Sequence, residues 1–407
     1  MQLKNCRSCS ATEFIDVLNF GNQPWCGDFL KKNELGSEKF FPLNLIQCKK
    51  CELLQLNYTV SKEKMFSEHS YLSSTTLTLK NFFKKLALEN KSQFQLNEKD
   101  LILDIGGNDG TQMIAYKEVG LSNSINFESA KNIARISELN GIRTINDFFN
   151  LDNCKKYIKS NSIKLINASG VFFHLEELHS VIEAINYCLR DDGCLIIQFM
   201  YAGSMIDTVT YDAIYHEHLC LYTLKSLNNL LALHNLYIFD SYFVDIHSGS
   251  IIAKVAKKKN QLLGLSDRHN QTLLNDLKYD FKTIQNFAQK SLDKKNKLLK
   301  LINEISKNKN NSIFGFGAPA KGNTLINFLQ LNSSVVRKIV EVNDLKIGLY
   351  TPGSHIPIVK ESAQDMPTHY LLLSHNFKNE IISKNEDLIK KKGLKFIIPF
   401  PEIEIIG

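Results

Sequence analysis

The run Leu101-Ile102-Leu103-Asp104-Ile105-Gly106-Gly107-Asn108-Asp109-Gly110-Thr111 reads as a buried strand that breaks into a glycine-rich turn and enters a helix. Glycines in such a turn let the backbone approach a bound ligand closely. One strand and helix further on, Asn126-Phe127-Glu128-Ser129 places a carboxylate after a second short strand, where it can hold both hydroxyls of a ribose. Ile142-Arg143-Thr144-Ile145 reads as a third strand, and Asp147-Phe148-Phe149 after it suits the edge and face of an adenine. Lys164-Leu165-Ile166-Asn167 supplies the fourth, with His174 on the loop at its carboxyl end, where open α/β sheets bind ligands. A lone histidine there is more often structural than catalytic.

The turn is not Gly-x-Gly-x-x-Gly, which weakens a dinucleotide reading. An acid closing the first strand is the pattern of class I methyltransferases that bind S-adenosylmethionine. Asp104, Gly106, Asn108, Asp109, Gly110, Glu128, Asp147 and Phe148 are therefore the expected cofactor-binding set.

Composition bounds what this unit belongs to. At 407 residues, 43% of them hydrophobic, the chain is expected to fold as two or three globular domains. It shows no apolar run of membrane-spanning length and no signal peptide, so a cytoplasmic location is expected. The net charge of +7 lies largely in a Lys-rich segment between Lys254 and Lys309 and is too diffuse for nucleic-acid binding. Oligomeric state is left open, and a monomer is compatible with the sequence.

Four of the 9 cysteines form two Cys-x-x-Cys knuckles, Cys6-Arg7-Ser8-Cys9 and Cys48-Lys49-Lys50-Cys51. Two knuckles complete a tetrahedral sulfur site for zinc, and four thiolates leave no coordination position open, so a structural role is expected. Further along, Asp212-Ala213-Ile214-Tyr215-His216-Glu217-His218 concentrates a phenol, two imidazoles and a carboxylate between strand-like and helical text. His216 and His218 suit proton transfer near neutral pH, with Tyr215 and Glu217 able to orient or share charge; a solvated loop is the competing reading. His247 and Ser250 fall at the tip of a strand–turn–strand. Gln271 to Ile305 carries apolar residues at helical spacing and reads as one long helix or a pair. A second α/β unit opens at Ser312-Ile313-Phe314-Gly315-Phe316-Gly317-Ala318-Pro319-Ala320-Lys321-Gly322-Asn323-Thr324, a strand, a Gly-x-Gly-x-x-Ala turn and a helix start that could cradle a pyrophosphate.

Taken in order, these motifs resemble the sugar C-methyltransferases, which use S-adenosylmethionine to methylate carbon 3, or carbon 5 in relatives, of nucleotide-linked 4-keto-deoxysugars. The resemblance spans nearly the whole length, through the paired knuckles, Asp-Ile-Gly-Gly-Asn-Asp-Gly-Thr, Tyr-His-Glu-His-Leu, Gly-Ala-Pro-Ala-Lys-Gly-Asn-Thr and the closing Ile-Pro-Phe-Pro. It implies an α/β chain with a zinc lobe over residues 1–70, a methyltransferase domain over 71–256, a helical connector over 257–310 and a Rossmann-like sugar-nucleotide domain over 311–407. It also implies that His218 is the base, with Tyr215, Glu217 and His216 beside it, and that Tyr71 reaches the site from the first lobe. His174, His247, Ser250, Ala320, Lys321, Asn323 and Thr324 fall on the substrate side.

The chain departs from the family pattern at Gly170, where an Asn is usual, at His247-Ser248-Gly249-Ser250, and at Leu373-Ser374-His375-Asn376, where Leu-Ala-Trp-Asn is usual. An O- or N-methyltransferase of a nucleotide sugar would use the same folds. An NAD-dependent sugar-nucleotide oxidoreductase would leave the Asp104 turn unexplained.

Overall fold

Ile102–Ile105 does form a strand, buried along its whole length, and the central sheet grows outward from it. The computed structural model describes residues 1–68, 71–246, 249–258, 260 and 263–407. Three sheets organise the described residues.

The first belongs to the N-terminal lobe: β1 (Phe14–Pro24), β2 (Phe40–Cys48) and β3 (Leu54–Leu56), antiparallel and in that order, closed by a short strand from Cys220–Leu221. The run Gly21–Pro24 lies inside β1, which carries register shifts between Asp16 and Leu18 and between Asn19 and Asn22.

The central sheet contains β4 (Ile102–Ile105), β5 (Ser124–Phe127), β6 (Thr144–Ile145), β7 (Ile163–Ser169) and β8 (Leu189–Met200). After β9, the Cys220–Leu221 strand, come β10 (Leu236–Val244) and β11 (Ser250–Lys257). The order across the sheet is β6-β5-β4-β7-β8-β11-β10, with β11 antiparallel to both neighbours. Residues 193–200 of β8 are all buried, as expected of a strand covered on both faces. Asp191-Asp192-Gly193, a run that favours a turn, is a bulge within β8: Ile163 pairs with Leu189, but Leu165 pairs with Cys194. Helices cover both faces, among them Leu77–Gln93, Thr111–Glu118 and Leu178–Cys188.

The long polar helical stretch resolves into two helices, Asp267–Asp276 and Phe281–Lys307, each started by a side-chain cap, Ser266 and Asp280. None of the helices described is long and apolar enough to cross a membrane. The third sheet follows, with β12 (Ile313–Phe316), β13 (Val336–Val340), β14 (Ile358–Val359), β15 (His369–Leu372), β16 (Lys395–Ile398) and β17 (Glu404–Ile406). Its order, β14-β13-β12-β15-β16-β17, reverses direction between β12 and β15, where a crevice opens at the carboxyl ends of such sheets.

The two cysteine knuckles are built alike. Ser10 and Glu52 close them in left-handed conformation, with φ of 59° and 62°, and each donates its N–H to the first cysteine of its turn at 3.0 Å. All four sulfurs lie within 4.8 Å of one another; Cys6 and Cys51 are 3.5 Å apart, Cys9 and Cys48 3.6 Å. Zinc–sulfur bonds of about 2.3 Å place tetrahedral sulfurs about 3.8 Å apart, so the donor set fits the ion. Gln55 Nε2 donates to Cys6 Sγ at 3.1 Å and orients that ligand. Elemental analysis should return one zinc per chain, and Cys48→Ser should lose it and lower the urea midpoint. Full zinc content in that variant contradicts the assignment.

Candidate active site

The Tyr215–His218 segment leaves a short helical turn at Tyr211–Ala213 and folds back at once, His218 N–H donating to the Tyr215 carbonyl at 2.8 Å. His218 Nδ1 lies 2.7 Å from the Ala213 carbonyl. A carbonyl only accepts, so Nδ1 carries the hydrogen and the neutral ring keeps its basic lone pair on Nε2. His174 repeats the arrangement, its Nδ1 2.7 Å from the Glu217 carbonyl. The rings gather: His218 is 3.9 Å from Tyr215, 4.6 Å from Phe173 and 5.2 Å from His174, between centroids. Burial, reinforced by the Glu217 charge, pushes the Tyr215 phenol well above its ordinary range, so it stays a protonated donor.

His216 points elsewhere. Its ring packs edge-on against Phe41 of the N-terminal lobe, and neither nitrogen has a hydrogen-bond partner among the described residues. Burial pushes its pKa down to about 4; the nearby Phe41 and Pro42 carbonyls oppose the shift without reaching bonding geometry.

Other domains hold this segment from two sides. Trp25 Nε1 donates to Glu217 Oε1 at 2.8 Å, and Trp25 clusters with Cys26, Val60 and Met65, with Tyr215 and Ala320 packed against them. From the third sheet, Lys321 and His375 converge on Asp212. His375 Nε2 is 2.7 Å from Asp212 Oδ2 and 2.7 Å from Lys321 Nζ, which also donates to Asn376 Oδ1 at 2.7 Å. Asp212 has no exposed surface; burial alone would raise its pKa, but Lys321 and His375 hold it below the usual carboxylate range. Asn323 Nδ2 donates to the Cys26 carbonyl at 2.6 Å, and the buried Thr324 lies on the same helix. Asn323 thus braces the Trp25 segment.

The expected cofactor residues sit together at the carboxyl ends of β4, β5 and β6. Asp104 is buried with neither carboxylate oxygen partnered among the described residues, and burial, with Glu128 adding, raises its pKa well above the ordinary value. An orphaned buried carboxylate is what a polar ligand would satisfy. Gly106 and Gly110 supply φ of +61° and +82°, and a Cβ on Gly107 would lie 2.4 Å from Asn126 Oδ1 and 2.5 Å from Asp104 Oδ2. Glu128 accepts the N–H of Asn108 at 2.9 Å and of Ala130 at 2.8 Å, one on each oxygen, and each oxygen keeps a second lone pair. Asn108 and Asp109 turn the other way: their side chains accept the N–H groups of Ser73 and Ser74, both at 2.9 Å, and so clamp the segment carrying Tyr71. Asp147 is engaged by Phe148 N–H and Asn153, while the Lys62 ammonium stands 5.0 Å over the Phe148 ring.

Of the remaining expected residues, Ser250 accepts from Gln198 Nε2 and donates to the Ile246 carbonyl, bonds internal to the β8–β11 edge. His247 lies outside the described residues. Sequence reasoning passed over Trp25, Asp212 and His375 as site residues. Trp25 is the single tryptophan and His375 a departure from the family pattern, signals that were present but carried no partner information.

Gly107→Ala should weaken S-adenosylmethionine binding roughly tenfold or more by displacing buried polar groups, while Gly264→Ala, with open space around it, should leave the affinity unchanged; calorimetry on both decides. His216 predicts an acid-side loss of stability. Above pH 6.5 folded and unfolded chains both keep the ring neutral. As pH falls towards 4 the unfolded chain takes up a proton that the folded ring refuses, so stability drops, by on the order of 3 kcal/mol for this residue. Urea unfolding across that range should show a smaller slope for His216→Leu than for wild type; equal slopes refute the assignment.

Comparison with known proteins agrees with this three-part layout. Residues 6–66 match a family model described as a zinc binding domain, 78–240 one described as a methyltransferase domain, and 245–401 one described as a C-methyltransferase C-terminal domain. The chain is similar along its full length to C-methyltransferase NovU of Streptomyces niveus, 26% identical over 416 residues and covering 97% of that protein. Two solved structures resemble it over less than half its length. Geranyl diphosphate C-methyltransferase of Streptomyces coelicolor A3(2) is 8% identical, with a TM-score of 0.36 over 44% of this chain and 80% of that one. The PH0226 protein of Pyrococcus horikoshii OT3 is 10% identical, with a TM-score of 0.38 over 48% and 98%. With the three domain types matched in order, the chain is similar throughout its length to S-adenosylmethionine-dependent C-methyltransferases, the family that its motifs resemble.

Proposed function

We propose that the enzyme methylates carbon 3 of a nucleotide-linked 4-keto-deoxysugar, with His218 as the base. The observation that carries this reading is the 2.7 Å contact between His218 Nδ1 and the Ala213 carbonyl, because it leaves Nε2 as the proton-accepting atom. A ketone at C4 acidifies the hydrogen on C3. As Nε2 takes that proton, the C–H electron pair moves towards the C4 oxygen, and the Tyr215 hydroxyl donates to the negative charge developing there. When bound, S-adenosylmethionine supplies a methyl on a sulfonium, whose carbon–sulfur bond breaks as the carbon–carbon bond forms. His174, held in the same tautomer, offers a second polar atom to the sugar.

The working division is a zinc lobe to residue 70, a methyltransferase domain to 256, a helical connector to 310 and a sugar-nucleotide domain beyond. Support for the last comes from the reversal of strand order between β12 and β15, a position where open α/β sheets bind ligands, with Ala320 and Lys321 opening the helix that follows β12. Tyr71 enters from the segment clamped by Asn108 and Asp109. In this reading Asp104, Gly106, Gly110, Glu128, Asp147 and Phe148 hold the cofactor.

His218→Asn should keep S-adenosylmethionine binding yet lose both deuterium uptake at C3 from heavy water and methyl transfer. The loss should be about two to four powers of ten in turnover. His216→Asn should be milder. Near wild-type turnover in the His218 variant, or a product whose new methyl sits on oxygen or nitrogen by NMR, overturns the reading.

A further inference from the structure

Glu217 belongs to the segment proposed to bear the base, yet one group that bonds its carboxylate comes from the zinc lobe. Trp25 directly follows β1, is nearly buried, and aims its indole N–H at Glu217 Oε1 across 2.8 Å. A hydrogen bond from a neutral donor to a carboxylate favours the ionised form and fixes its direction. A Cβ on Gly27 would lie 2.8 Å from the Trp25 ring and 2.9 Å from Glu217 Oε1, so any larger residue there would wedge the pair apart. The far face of the indole is covered by the Lys64 ammonium at 5.6 Å, itself paired with Asp28 at 3.1 Å.

The groups that sense the Glu217 charge are known. It helps to push the Tyr215 phenol and the Cys26 thiol up, in both cases after burial, and it counters the burial that pushes Lys346 down. Lys346 is otherwise occupied, donating to the Ala318 carbonyl at 2.8 Å.

We propose that Trp25 is a positioning residue for methyl transfer: its indole N–H fixes the direction of the Glu217 carboxylate beside Tyr215, whose phenol meets the developing enolate oxygen. The zinc lobe then forms a wall of the reaction site, and the metal acts on the chemistry only through the lobe it folds. This rests on the reading of the Tyr215–His218 segment as the catalytic one.

The single tryptophan makes the contact observable without turnover. In zinc-loaded full chain labelled with 15N-tryptophan, one indole N–H signal is expected, shifted downfield by the carboxylate and moved upfield in Glu217→Gln. A signal unmoved by that substitution overturns the contact. The kinetic arm uses the 4-keto-deoxysugar nucleotide that the wild type turns over. Trp25→Phe should retain zinc and S-adenosylmethionine affinity, lower kcat roughly ten- to hundredfold, and shift the acid limb of the kcat profile to higher pH, since the carboxylate loses its donor. In the Glu217→Gln background Trp25→Phe should cost less than about twofold more, because the charge-assisted bond is already gone. Gly27→Ala, which removes neither partner, should reproduce the kcat loss and the limb shift. If Glu217→Gln cripples turnover while Trp25→Phe and Gly27→Ala do not, the positioning role is wrong; if Glu217→Gln itself turns over normally, the reading of the catalytic segment fails instead.

Discussion

A carboxylate with no exposed surface must be neutralised where it stands, and Asp212 is such a carboxylate at the junction of two α/β units. Its partners, Lys321 and His375, come from the carboxyl ends of β12 and β15, so the charge is satisfied only when the C-terminal unit is docked. Removing one partner of a buried pair typically costs about 3–5 kcal/mol, because the other charge is left stranded. Domain placement is thereby tied to a single side chain. Ala213, the next residue, carries the carbonyl that selects the His218 tautomer. The anchor that holds the domains together therefore also sets which ring nitrogen is basic.

The division of labour among the three parts follows from this geometry. The central sheet gathers the expected cofactor residues at the ends of β4, β5 and β6, where open α/β sheets bind ligands, and supplies the segment with the proposed base. That segment is too short to fix its own side chains. It is a turn of a few residues with one internal backbone bond from His218 to Tyr215. The lobe and the C-terminal unit grip it from opposite sides, through Glu217 and Asp212, while Phe173 and His174 pack beneath the rings. Rigidity that a longer element would provide is supplied by neighbours, which suits a site that must hold reacting groups to within fractions of an ångström.

Much of this was legible in the sequence because it depends on local chemistry. The β4 turn announces itself by an acid and closely spaced glycines, and the knuckles by cysteine spacing, since a tight turn is all either needs. The Asp191–Gly193 bulge misleads, because Asp-Asp-Gly favours a turn, and only the strands beside β8 carry the chain through it. Asn108 and Asp109 read as ligand contacts by position, yet their side chains are spent on Ser73 and Ser74, partners more than thirty residues earlier that no local pattern identifies. The same holds for Trp25 and His375. Each matters through one bond to a residue far away in the chain, and a bond of that kind leaves no periodicity to detect.

The pairing of β9 with β3 has a consequence for how the chain can be made and inherited. Leu54 and Gln55 find their strand partners in Leu221 and Cys220, and Gln55 is also the residue that orients Cys6. During synthesis on the ribosome the lobe can gather its four sulfurs early, but one sheet edge stays open until the polypeptide has emerged past residue 221. An open edge invites pairing with other chains, so this interval is the one in which a nascent protein is exposed to misassembly. The same stitch blocks recombination: a lobe moved to another host would leave behind the strand that completes it. Lobe and Tyr215–His218 segment must then diverge as one inherited block, although the sequence sets them more than 140 residues apart.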